Sequence, residues 1–69
     1  MKKRFYVNEK AQRSGDHEVH NESCTYLPIL QNRRYLGEFY NCTDAVIAAK
    51  WYYPTADGCK ICSEDCHTR

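Results

Sequence analysis

Two pairs of soft-donor side chains stand out in this 69-residue chain: Cys59 and Cys62 in a Cys-x-x-Cys turn, and His20 with Cys24 four residues apart. A Cys-x-x-Cys turn aims two sulfurs at one point, and a tetrahedral Zn²⁺ site is usually built from two such short-spaced pairs. His20, Cys24, Cys59 and Cys62 are therefore the expected ligands of a zinc ion. Because the pairs lie far apart in sequence, one ion would tie an early hairpin to the C-terminal region, much as a long-loop crosslink does. Other readings stay open. Cys66 and His67 offer alternate ligands in a local Cys-x2-Cys-x3-Cys site, and His17 offers a substitute for His20. Redox and inert-thiol roles for Cys59 and Cys62 are the alternatives to zinc.

Charge and composition narrow the class. Net charge is +1 with 28% charged residues, so the chain as a whole has no strong pull toward nucleic acid or anionic lipid. Three thiolates around one Zn²⁺ would bring that sum to zero. No apolar run approaches the ~20 residues that cross a bilayer, so no membrane role is expected. Met1-Lys2-Lys3-Arg4 leads into Phe5-Tyr6-Val7 and then at once into Asn8-Glu9-Lys10. That start lacks the apolar core of an export signal, and the expected location is the cytoplasm. Five cysteines there point to metal or redox chemistry rather than a disulfide framework. Cys42 is expected as a small buried core residue.

Several elements must position these groups. Residues 3–9 alternate as a strand with Phe5 and Val7 inward; Arg13-Ser14-Gly15-Asp16 is turn chemistry; residues 17–20 return with Val19 inward. Residues 21–34 are expected as a loop packed over the core. Residues 35–40 have strand composition, with Leu36 and Phe39 inward. A helix over residues 45–53 is expected, capped by Thr43, favoured by Asp44 at its positive end and stopped by Pro54. Ala45, Ala49, Tyr52 and Tyr53 would share its inner face, joined by Val46. Asp57-Gly58 reads as a turn into the knuckle. The expectation is one α+β domain over residues 1–69: an N-terminal β-hairpin, one further strand, one main helix and a C-terminal Cys-x-x-Cys knuckle. At this length the core rarely supplies more than about 3–5 kcal/mol, so metal should decide folding.

The string Val19-His20-Asn21-Glu22-Ser23-Cys24, then Phe39, the helix with Ala45, Val46 and Ala49, and Gly58-Cys59-Lys60-Ile61-Cys62 resemble the Ada-type metal-binding domain. That is the zinc module of a bacterial DNA-alkylation repair protein. The resemblance covers roughly residues 17–62 and implies zinc ligation by His20, Cys24, Cys59 and Cys62. In that family the first cysteine of the leading pair accepts a methyl group; His20 stands at that position, and an imidazole lacks the thiolate nucleophile.

No Ser-His-Asp arrangement or Gly-rich phosphate loop is present, and Asp16, Glu18 and Glu22 read as a solvated hairpin edge. Two surfaces remain as binding candidates. Lys2, Lys3, Arg4, Arg13, Arg33 and Arg34, interleaved with Tyr6, Tyr35 and Tyr40, would suit single-stranded or double-stranded nucleic acid. Ile47 and Trp51, one helical turn apart on the side away from Ala45, would suit a protein partner. The expected function is a non-enzymatic zinc-binding module acting on nucleic acid or protein. The alternative is a thiol-redox or alkyl-accepting protein that uses Cys42 or Cys66.

Overall fold

The computed structural model describes residues 1–68. It is a small α+β fold: a four-stranded mixed sheet with one main helix packed on one face. Strand β1 (Lys3–Asn8) and strand β2 (His17–Asn21) form the expected hairpin, with Val7 opposite Val19 and Tyr6 opposite His20. Their connection turns at Gly15, whose φ of +92° lies in the left-handed region that glycine tolerates. Strand β3 (Arg33–Phe39) pairs antiparallel with the other side of β1. Strand β4 (Ala56–Gly58) pairs parallel with β2, giving the order β3-β1-β2-β4.

Alternation along β1 and β2 sends Phe5, Val7 and Val19 to one face, where they meet Ala45, Ala49 and Ala56. Leu36 and Phe39 both reach this core, although three residues apart in a regular strand they would face opposite ways. A register irregularity between Phe5 and Tyr6 resolves the conflict: Phe5 pairs with Gly37 while Tyr6 pairs with Tyr35. Gly37, at φ +126°, supplies the backbone shape for that bulge.

The helix α1 (Cys42–Lys50) starts and ends earlier than its residue types suggest. Its cap is Asn41, not Thr43: Asn41 has extended backbone and its side-chain oxygen accepts the Asp44 N–H at 3.0 Å. Ala45 and Ala49 are fully buried, so the helix lies close on the sheet. Tyr52 follows the helix and does not share that inner face; it is half exposed beneath the Arg34 guanidinium.

Three further expectations change. Residues 21–34 do not cover the core: Asn21 closes β2, Arg33 opens β3, and Tyr26, Ile29 and Leu30 between them are exposed. Asp57-Gly58 is strand, because the chain returning from the helix lies alongside β2. Gly58 is required there, since a Cβ would sit 2.6 Å from both Cys66 Cβ and the Ser63 carbonyl oxygen. Asp16 and Glu18 are not a solvated edge; Asp16 is buried and the Glu18 side chain is 16% exposed.

Replacing Asn41 by Ala should lower unfolding stability by about 1 kcal/mol, and Thr43→Ala should change it by less than about 0.5 kcal/mol. Denaturant unfolding of the metal-loaded chain reads both. The reverse ranking would place the cap at Thr43.

Candidate metal centre

His20, Cys24, Cys59 and Cys62 meet at one place, with one ligand atom from each lying within 4.8 Å of all the others. Local structure explains how. His20 is the fourth residue of β2, and alternation points it to the face opposite Val19 and the helix. The chain then turns at Asn21, whose side-chain oxygen accepts from the Ser23 N–H at 2.9 Å and from its hydroxyl at 3.0 Å. The Asn21 carbonyl accepts the Cys24 N–H at 3.1 Å, which brings Cys24 back beside His20. On the other side, parallel pairing continues past Gly58: the Cys59 N–H donates to the Val19 carbonyl at 2.9 Å. Asn21 also donates through Nδ2 to the Cys62 carbonyl at 3.3 Å, fixing the knuckle to the end of β2.

The edges of the cluster match a known coordination shape. Zinc–ligand lengths of about 2.3 Å for sulfur and 2.0–2.1 Å for nitrogen, at tetrahedral angles, set edges of roughly 3.8 Å between sulfurs and roughly 3.6 Å between sulfur and nitrogen. Here Cys24 Sγ and Cys59 Sγ are 3.8 Å apart. His20 Nδ1 lies 3.5 Å from Cys24 Sγ and 3.9 Å from Cys62 Sγ. Backbone amides point at two of the sulfurs: Tyr26 N–H donates to Cys24 Sγ and Ile61 N–H to Cys59 Sγ, each at 3.4 Å. Amide donors of this kind stabilise a thiolate. The donor set can bind a metal ion.

Protonation fits the same use. Burial holds the His20 imidazole below its usual pKa range, which favours the neutral ring that a metal requires. Without an ion, burial pushes the Cys62 thiol up to about 12, with Cys24 and Cys59 adding to the effect. A metal must therefore displace that proton, as binding to cysteine generally does.

Cys66 and His67 lie outside the cluster, so the local Cys-x2-Cys-x3-Cys alternative does not form. Cys66 is disulfide-bonded to Cys42, with 6.2 Å between their Cα atoms. The bridge corrects two expectations: Cys42 is neither a plain core residue nor a free thiol, and the chain does contain a disulfide. An alkyl-accepting role needs a free thiol, which neither residue has in this bridged state, whereas a redox role would cycle through such a bridge; among the described residues the free cysteines are Cys24, Cys59 and Cys62. His67 Nδ1 donates to the Gly58 carbonyl at 3.1 Å and lies 3.4 Å from Asp57 Oδ2. His17 faces elsewhere, stacked on Tyr53 at 3.8 Å between ring centroids.

The candidate binding surfaces are placed as follows. Lys3 and Arg4 lie on β1 and Arg33 and Arg34 on the adjacent β3. Arg4 pairs with Glu22 at 4.0 Å and Arg34 with Glu9 at 3.3 Å. Arg33 lies over the Tyr6 ring and donates to the Pro28 carbonyl. Tyr6 and Tyr35 are neighbours at 5.4 Å. Ile47 and Trp51 are 58% and 86% exposed. Ile47, but not Trp51, lines a groove of about 270 Å³ together with Thr43, Val46, Lys50, Asp65 and Cys66. Sequence reasoning missed Asn21 as the residue joining the two ligand pairs; its Asn-x-Ser spacing, which favours a local side-chain turn, was the available signal.

Among the described residues no helix is long and apolar enough to cross a membrane. Compared with protein-family models, curated proteins and solved structures, the chain matches none.

In the zinc-loaded folded chain, an alkylating reagent without reductant should add no groups. The same reagent should add three groups after chelation and unfolding. Intact-mass spectra read both, and a fourth or fifth adduct would show the Cys42–Cys66 bridge to be open.

Proposed function

We propose that this chain is a zinc-stapled, non-enzymatic binding module in which the ion is structural and the partner is a protein. The observation that carries the reading is the convergence of one imidazole nitrogen and three sulfurs from distant parts of the sequence. Four protein ligands complete a tetrahedron, whereas a catalytic zinc keeps a position open for water or substrate. Structural zinc contributes about 10–16 kcal/mol of apparent binding energy in small peptides at neutral pH, enough to decide folding here. The resemblance to the Ada-type domain belongs to this proposal. Its four ligand positions are those that converge, and His20 at the methyl-acceptor position favours binding without transfer. A cytoplasmic location is also part of it; the Cys42–Cys66 bridge is then the element that meets cellular reductants.

The partner class follows from what the surface leaves unengaged. Arg4 and Arg34 are already paired with carboxylates, which lowers their value for phosphate contacts. Trp51 and Ile47 stand exposed, Ile47 on the rim of a groove, and tryptophan is enriched among interface hot spots.

Metal analysis of the purified chain should give one zinc per molecule, lost on Cys24→Ser or Cys59→Ser. Chelation with the disulfide intact should collapse the dispersion of the amide NMR spectrum. Undiminished dispersion with no metal present would overturn the structural role. Titration with single-stranded oligonucleotides should show no salt-sensitive binding. Binding that weakens with salt and shifts the Tyr6 and Tyr35 amides would replace the protein partner with nucleic acid.

A further inference from the structure

We propose that Glu18 is the outer partner of the metal ligand His20, accepting its Nε2–H and so holding the ring in the tautomer that coordinates through Nδ1. The inference rests on the metal-centre reading and adds a fifth residue to it.

The two nitrogens of an imidazole are chemically distinct, and the hydrogen bond made by one decides which is free to bind a metal. Here the environment distinguishes them. Nδ1 faces the sulfurs of Cys24 and Cys62. Nε2 points the other way, is buried, and makes no hydrogen bond within the limits of bonding distance. The acidic atom beside it is Glu18 Oε1, at 3.8 Å. A buried N–H left without an acceptor bears the full desolvation cost of that donor, so this atom needs a partner once the ring binds metal through Nδ1.

Glu18 is built to serve. It stands two residues before His20 in β2, so the two side chains lie on the same face of the strand. Its side chain is largely covered, with 16% of it exposed. Closing the gap from 3.8 Å to a hydrogen bond of about 2.9 Å takes a small side-chain adjustment. Metal coordination makes the opposite N–H a stronger donor, and a carboxylate acceptor in turn raises the basicity of the ligating nitrogen. The neutral imidazole then carries its single proton on Nε2 and its lone pair on Nδ1.

The test uses the zinc-loaded full chain and its Glu18→Ala and Glu18→Gln variants. Long-range ¹H–¹⁵N spectra of the parent chain should show a protonated His20 Nε2 whose proton exchanges slowly. In Glu18→Ala that exchange should accelerate, and zinc affinity, read by competition with a chromophoric chelator, should fall 10–100-fold. Glu18→Gln keeps an acceptor oxygen and should recover most of both; a merely structural role for the charge would not show this rescue. Coordination through Nε2, or a Glu18→Ala chain that matches the parent in exchange and affinity, overturns the proposal. If Glu18→Ala does not fold, equal loss of affinity and slow exchange in Glu18→Gln overturns it. A His20→Ala chain that keeps parental zinc affinity would instead remove His20 from the metal site, a separate failure.

Discussion

The convergence of three sulfurs and one ring nitrogen from distant parts of the chain is the constraint from which the proposed account of this structure starts. The fully buried apolar set is Phe5, Val7, Val19 and three alanines. Alanines permit close approach of helix to sheet but remove little apolar surface from water, at roughly 25 cal/mol per Å². Cys24 and Cys59 are 35 positions apart, and holding such distant points together opposes a substantial chain entropy. The apolar cluster lies on the helix side of the sheet, while His20 projects from the other side. An ion bound there would secure the face that side-chain packing leaves unsupported.

The same arrangement divides the thiols. Of five cysteines, three belong to the cluster and two to the bridge between the start of the helix and the C-terminal segment. The segment that carries Cys59, Cys62 and Cys66 is thus secured to β2 on one side and to α1 on the other. Cys24 and Cys59, with sulfurs 3.8 Å apart, are close enough that an unliganded chain under oxidants would be prone to join them. Occupying those sulfurs with a metal would protect the correct pairing as well as the shape.

The four residues of the cluster and the hairpin are legible because both are written in short-range spacing: His20 with Cys24, Cys59 with Cys62, and alternating apolar residues on either side of Gly15. What escaped was set by long-range geometry. Nothing in a 24-residue separation marks Cys42 and Cys66 as partners. Asp57-Gly58 has turn composition, and only the parallel alignment with β2 makes it strand. Thr43 and Asn41 are both competent caps; the chain leaving β3 determines which has extended backbone. Leu36 and Phe39 share the core only because of a bulge whose sign in the sequence is one glycine. Glu18 reads as a solvated charge because the β4 strand that pairs beside it is set by long-range alignment.

The C-terminal residues have one more consequence. Thr55 and Cys59 direct their backbone groups toward β2, so the alternating Gly58 carbonyl points outward, and His67 occupies it. Thr68 adds three further bonds to the Asp57 carboxylate, two from its N–H and one from its hydroxyl. The opposite margin, β3, carries Arg33 and Arg34 and is distorted at Gly37. Both margins therefore discourage strand addition by another molecule. The sheet ends at four strands, and crowded copies of the protein lack an easy template for growing into fibres.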